Sequence, residues 1–408
     1  MGKTALAAWI VLWFALTRDG EDWKIPTTAS AWRQLTKFLW PEIKKWARRL
    51  DWKKIGRQPF DERTELLSLS IKLSTGEAFA LASDNSAMIE GAHAQNLLYV
   101  FDESKTIPAD TWDSAEGAFS TGDAYWLAIS TPGEPQGRFY DIHRRAPGYD
   151  DWWVRHVSLD EAIEAGRINP EWAEQRKRQW GESSAAYQNR VMGEFATSDE
   201  DTIISLAKVE AANERWYALQ ESGEWEPFTC VGVDVGRGGD KSKFALRFGN
   251  AIKELREDTG KDTMVVAGKT VGILRKYGGK AVVDVIGVGA GVVDYLRNQG
   301  HDVEPFNASE GTDQTDASGE MKFKNMRSYA WWNMRELLEG EPIALPPSDT
   351  LTGDLTAPKW KVMAGGRIQV ESKEDIKGRI GRSTDDGDAV IMAYAGGSLS
   401  AEDLVAFV

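Results

Sequence analysis

The chain has 408 residues, with 49 lysines and arginines against 63 aspartates and glutamates, for a net charge of −14. That length exceeds one ordinary core and points to two or three domains; the acidity argues against a protein that coats nucleic acid through net positive charge, though not against a local basic groove. One cysteine, Cys230, excludes an intramolecular disulfide, and His93, His143, His156 and His301 are too scattered for a zinc site, so a reducing cytoplasm is the default compartment.

Gly2-Lys3-Thr4 is the tail of G-x-x-x-x-G-K-[ST], in which backbone N–H groups cradle phosphates, the Lys reaches the terminal ones and the Thr hydroxyl binds Mg²⁺. The apolar run 5–16 reads either as the core of a signal peptide or as a buried helix whose N-terminus faces an anion. It is too short for a membrane span, residues 17–20 lack a small-residue cleavage site, and Leu6 stands where a myristoylation motif needs Ser or Thr. Residues 23–26 read as a short strand, and 29–50 as a helical region interrupted at Pro41. Trp32, Leu35, Leu39, Ile43, Trp46 and Leu50 recur there at helical spacing. The basic residues between them, such as Lys37, Lys44, Lys45, Arg48 and Arg49, make either a nucleic-acid-binding face or a solvated one. Residues 65–75 and 77–83 suggest a hairpin near Gly76.

Residues 97–103 are an apolar run ending in Asp102-Glu103. Such a run is a buried parallel strand delivering acids to the rim of a sheet, or a core strand ending in a polar turn. Residues 126–129 make another strand, ending in Ser130-Thr131-Pro132-Gly133: a phosphate-sensing triplet or an ordinary turn. A strand at 152–158 and a helix at 170–191 follow, and Gly193-Glu194-Phe195 closes a first unit. A polar linker begins at 197–201 and a linker helix spans 203–219.

The second unit opens with the β-rich run 228–236, which presents Asp234 between two glycines; 237–242 make a turn and 244–248 a strand. Residues 264–267 read as the third strand and 271–277 as a helix. Residues 280–285 form a buried strand that delivers Asp284, and the glycines of 286–291 do not match a dinucleotide loop before the helix 292–298. An amphipathic helix spans 322–338 with Gly340 as its stop, and 360–363 with 367–370 flank a hairpin signal at 364–366. Lys359, Lys361, Arg367, Lys373, Lys377, Arg379 and Arg382 make this region basic. Asp385-Asp386-Gly387-Asp388 opens the helix 389–395, and Asp385 and Asp388 share its face.

The order of these pieces is informative. Carboxylates on apolar elements are costly to bury alone, and Asp234, Asp284 and Asp388 converging on two Mg²⁺ or Mn²⁺ ions about 4 Å apart would activate water and stabilise the leaving oxygen of a phosphodiester. A basic hairpin beside them would hold a DNA backbone. That is the design of an RNase H-like nuclease.

Over residues 2–395 the chain resembles the large terminase subunits of tailed bacteriophages. Gly2-Lys3-Thr4 is similar to the end of their Walker A motif, Val100-Phe101-Asp102-Glu103 to Walker B, Ser130-Thr131-Pro132 to the coupling motif, and Gly193-Glu194-Phe195 to the end of the ATPase part. Val233-Asp234-Val235-Gly236 and Val283-Asp284 resemble the first two nuclease acids, and 383–389 the S-P-D-x-A-D-A signature, with Thr384 in place of Pro and Gly387 in place of Ala. The resemblance implies an α/β chain with an ASCE-type P-loop ATPase over 1–200, a linker helix over 201–226 and an RNase H-like nuclease over 227–408. It implies Glu103 as the ATPase carboxylate, and Gly2, Lys3, Thr4 and Asp102 holding ATP and Mg²⁺. Asp234, Asp284 and Asp388, with Asp385 a possible fourth, would hold the nuclease Mg²⁺ or Mn²⁺. Its partners would be double-stranded viral DNA, the portal protein, the small terminase subunit and further copies in a ring on the procapsid, in the host cytoplasm and without a membrane. Family members carry a segment before the position of Gly2, with the adenine-contacting part and the first half of the P-loop, so the chain is expected to begin in mid-fold. No arginine finger is placed, since 88–91 carry Glu90 where basic residues often stand. Two alternatives stay open: a truncated prophage remnant acting only as an RNase H-like nuclease, and a structural or portal-docking protein.

Overall fold

The computed structural model describes residues 2–83, 91–120, 122–196, 201–236, 241–260 and 262–395. Glu90, the turn at 237–240 and the linker start at 197–200 lie outside the described residues. The chain divides into one unit of Met1–Pro170 with Met192–Thr197 and a second of Glu171–Val191 with Ser198–Val408. Both are α/β. No helix among the described residues is long and apolar enough to cross a membrane.

In the first unit, β1 (Trp23–Ala29), β2 (Ser70–Lys72), β3 (Gly76–Ala80), β4 (Asn96–Asp102) and β5 (Asp123–Ile129) form one sheet in the order β2-β3-β1-β4-β5. Only β2 is antiparallel, as the first arm of the expected hairpin. Every residue of β4 is buried. Its alternate side chains enter two different cores, as the two-residue period of a strand requires. Leu98 and Val100 pack with Ala7, Val11 and Leu12 of the first helix (Lys3–Thr17). Leu97, Tyr99 and Phe101 pack with Trp112 and Ala115 on the opposite face. The apolar run 5–16 is therefore a core helix in this fold. Pro41 does not break the helical region: a π-helical turn (Gln34–Leu39) runs into the helix Trp40–Ala47, and Pro41 sits at the junction between them, where the helical geometry changes. Residues 152–158 join no strand of the described sheet.

In the second unit, β6 (Phe228–Asp234), β7 (Ser242–Phe248) and β8 (Ala251–Asp258) form an antiparallel meander. β9 (Lys280–Asp284) joins β6 in parallel and β10 (Val303–Phe306) joins β9, giving the order β10-β9-β6-β7-β8. This is the RNase H-like strand order and sense. The third strand is thus Ala251–Asp258 and not 264–267. Those residues belong to a continuous helix, Thr263–Tyr277, started by the Asp262 side chain accepting from the Met264 N–H, with Val266, Ala267, Thr270, Val271 and Leu274 on its buried face. The next helix starts at Gly289 rather than Val292. A small sheet of β11 (Lys322–Phe323), β12 (Trp360–Val362) and β13 (Arg367–Val370) lies beyond it, in the order β11-β13-β12. Pairing of Lys322–Phe323 with β13 delays the following helix to Met326–Gly340, which Asn325 caps. The expected helix 170–191 is broken after Pro170–Trp180, where Gly181 takes a φ of +82°. The linker helix spans Leu206–Ser222 and is tied to the second unit by the Asn213 amide donating to the Leu345 and Pro346 carbonyls.

Candidate active sites

β6 and β9 run side by side with Val233 opposite Val283, so their last residues, Asp234 and Asp284, reach one rim of the sheet together. The C-terminal helix (Asp385–Ala395) packs on β6 and β7 and brings Asp388 to the same rim. Gly232 permits this: a Cβ there would stand 2.1 Å from the Ala389 carbonyl oxygen. Asp234, Asp284 and Asp388 line one cavity of about 290 Å³ with Lys373, Arg327, Lys324 and Asn325.

Lys373 opens the helix Lys373–Ile380, and its ammonium lies among the acids, 2.9 Å from Asp234 Oδ2, 2.9 Å from Asp385 Oδ1 and 3.4 Å from Asp388 Oδ2. Arg327 donates to Asp388 Oδ1 at 2.6 Å and to the Glu371 carbonyl at 3.2 Å. The Thr384 hydroxyl donates to Asp388 Oδ2 at 3.0 Å. Asp284 accepts the Ile286 N–H at 2.9 Å. Asp386 turns elsewhere, to Lys243 at 2.9 Å.

These contacts set the electrostatics. Burial pushes the Asp234 carboxyl up to about 7; Lys373 pulls against it, while the charges of Asp388 and Asp385 push with it. Burial also works to raise Asp388, but Arg327 and Lys373 outweigh it and hold the carboxyl below its ordinary value. For Lys373, burial disfavours the charge, yet the three carboxylates overcome it and keep the ammonium firmly protonated. Among the described residues no group of three or more His, Cys, Asp or Glu side chains has the spacing to hold a metal ion. Asp234, Asp385 and Asp388 are gathered round the Lys373 ammonium instead. The donor set nevertheless fits a hard divalent cation in its chemistry: carboxylate oxygens on a rim, one of them costly to ionise without a neighbouring positive charge.

The first unit has its own cluster. Glu103 follows β4 with a left-handed φ of 48°, an uncommon conformation for a non-glycine residue. Its Oε1 faces the Lys3 ammonium at 3.3 Å, and its Oε2 accepts from Ser130 at 3.2 Å and Thr131 at 3.3 Å. Asp102 is buried beside it and accepts the Glu103 N–H at 3.1 Å. Burial, and then the Glu103 charge, push the Asp102 carboxyl up to about 6, while Lys3 draws it down. Gly2 precedes the first helix at a φ of 85°. Lys3, Asp102, Glu103, Ser130 and Thr131 are thus brought together, with Thr4 and Pro132 adjacent to them in sequence.

Reading the sequence does not single out Arg327, Lys373, Asp354 or Arg382 as site residues. Each is one charged side chain on an element with other work to do, and no local spacing marks it.

No family model matches the chain. Over 162 residues it is 29% identical to the probable terminase large subunit of Enterobacteria phage P7, a stretch that covers 39% of this chain and 32% of that protein. The chain therefore spans about a third of the length of the curated relative it matches. The nuclease domain of the large terminase subunit of bacterial virus Sf6 is 21% identical, over 48% of this chain and 99% of that one, with a TM-score of 0.40. The large terminase of a thermophilic bacteriophage, in complex with ADP, is 14% identical, over 97% of this chain and 90% of that one, also with a TM-score of 0.40. The sequence match to a curated relative falls in the same family as the motif resemblance.

Proposed function

We propose that this chain works as the large subunit of a DNA-packaging terminase, with an ATP-driven motor in its first unit and a metal-dependent DNA endonuclease in its second. The observation that carries the nuclease reading is the delivery of Asp234, Asp284 and Asp388 to one cavity from β6, β9 and the C-terminal helix of an RNase H-like sheet. Mg²⁺ or Mn²⁺ bound there would supply a water of lowered pKa and a charge to set against the leaving oxygen. Asp234, Asp284 and Asp388 would hold the metal, with Asp385 at the edge of the site. Lys373 stands where it neutralises the acids between cycles, and Arg327 keeps Asp388 ionised and oriented. Lys361 and Lys377, exposed near the same region, offer contacts for the phosphates of double-stranded viral DNA.

In the first unit, the Lys3 ammonium and the backbone N–H groups of Gly2, Lys3 and Thr4 would meet the phosphates of ATP, with Thr4 and Asp102 on Mg²⁺. Glu103 would orient the attacking water, and Ser130 and Thr131, which hold its carboxylate, would sense the state of the γ-phosphate; Pro132 completes the coupling turn. Portal protein, small terminase subunit and further copies on the procapsid in the host cytoplasm are the partners this reading entails.

The decisive test is nicking of supercoiled plasmid by the purified chain with Mn²⁺. Asp234→Asn should lower the rate by about 100-fold or more, since removing even an outer-shell partner of a metal ligand costs 10–100-fold. A variant that cuts as fast as wild type sinks the site assignment.

A further inference from the structure

Asp354 lies outside the cavity and outside every motif of the family resemblance, yet it is completely buried in the helix Asp349–Thr356. Its Oδ2 accepts two backbone N–H groups, from Asp386 at 3.0 Å and Gly387 at 3.1 Å. These belong to the first turn of the helix that carries Asp385 and Asp388. Its Oδ1 accepts from the Arg382 guanidinium, which also donates to the Gln179 carbonyl at 2.9 Å and the Ser383 carbonyl at 3.0 Å.

A helix start ordinarily has its free N–H groups satisfied by the Ser or Thr just before it. Thr384 stands at that place, but its hydroxyl is turned to Asp388 Oδ2. The residue that would cap the helix is thereby committed to the acid, and Asp354 supplies the missing acceptor from another helix. Two glycines make the approach possible. A Cβ at Gly387 would stand 2.9 Å from Asp354 Cβ, and one at Gly353 would stand 2.6 Å from an Arg382 nitrogen and 2.6 Å from the Trp180 ring. Gly387 is also where the terminase signature usually carries Ala.

We infer that Asp354, held by Arg382, is a positioning residue for the nuclease site: it clamps the turn 383–388 so that Thr384 is free to orient Asp388 into the cavity while Asp385 reaches Lys373. The inference rests on the nuclease reading. A buried ion pair is by itself weak evidence of any role. What gives this one a direction is that each of its carboxylate oxygens ends on the acid-bearing turn or on the arginine tied to it.

The test uses the full chain, with Mn²⁺-dependent plasmid nicking, Mn²⁺ binding by calorimetry, and amide hydrogen exchange at residues 386 and 387. Asp354→Ala should lower kcat by about 10–100-fold and weaken Mn²⁺ binding by a similar factor. KM for DNA should be unchanged, and the two amides should exchange faster. The double variant Asp354→Asn/Arg382→Gln, which keeps an acceptor for both N–H groups without leaving Arg382 unpaired, should recover most of the loss. Gly387→Ala leaves the ion pair in place but pushes the turn off Asp354, and it should lower kcat in the same way even if Asp354→Ala does not fold. Wild-type kcat and Mn²⁺ affinity in folded Asp354→Ala or in Gly387→Ala overturn the inference alone. A wild-type chain that neither binds Mn²⁺ nor cuts DNA overturns the nuclease reading, and this inference with it.

Discussion

At Lys373 a single side chain balances three carboxylates. Its ammonium touches Asp234, Asp385 and Asp388, and the Asp234 carboxyl is otherwise expensive to ionise in its buried position. Without that amine, like charges face one another across a partly dehydrated cavity. Lys373→Ala should therefore lower the Tm of the metal-free chain, by about 2–4 °C if roughly 1 kcal/mol is lost. Mn²⁺ should raise the Tm of the variant more than that of wild type, because the metal then meets no resident cation. Equal Mn²⁺-induced shifts in a thermal melt would argue that the metal binds away from these acids. In the sequence Lys373 is visible only as one of seven basic residues between 359 and 382. Nothing in its neighbours tells it apart, because what distinguishes it is proximity to residues 139 positions earlier and 12 to 15 later.

The element on which the second site depends is the C-terminal helix lying across β6 and β7. Its buried face runs through Ala389, Val390, Ala393 and Tyr394 into the core that also holds Trp331, Met334 and Leu355. The helix approaches β6 so closely that an added methyl at Gly232 would meet both the Ala389 carbonyl and the Ala393 nitrogen, the latter at 2.7 Å. Gly232→Ala should thus move the helix and Asp388 with it, at a cost of about 1–3 kcal/mol in urea denaturation, and Mn²⁺-dependent nicking should fall in the folded variant. A variant with unchanged stability and nicking would show that the helix tolerates displacement. Much at this scale is legible in the sequence. The apolar runs ending in acids, the Gly365 hairpin and the acid-rich helix start all follow from local pattern. The third strand is misplaced by that reading because 264–267 is a short apolar run, which periodicity alone does not assign to strand or helix. The Asp262 cap decides for helix, and β8 is hidden by its mixed, half-exposed side chains.

For the whole molecule, the two candidate sites fall in separate compact units, with Lys3, Asp102, Glu103, Ser130 and Thr131 in the first and Asp234, Asp284, Asp385 and Asp388 in the second. Glu103→Gln should abolish DNA-stimulated phosphate release while leaving Mn²⁺-dependent nicking of plasmid intact, and Asp234→Asn should do the reverse. ATPase activity that survives Glu103→Gln would remove Glu103 from the motor, and an absence of ATP turnover in wild type would favour a nuclease acting without one.

By itself the sequence determined the α/β class, the strands that carry Asp102, Asp234 and Asp284, and the acid-rich start of the C-terminal helix at Asp385–Asp388. Those are consequences of local periodicity, burial and the reach of one strand or one helical turn. Only the tertiary structure decided that Glu103 is shared by Lys3, Ser130 and Thr131, that Lys373 and Arg327 balance the acids, and that Asp354 caps the turn behind them. Pairings of that kind depend on contacts between residues far apart in the chain. A lone Lys, Arg or Asp at the end of such a contact looks, in sequence, like any other charged residue on a solvated helix.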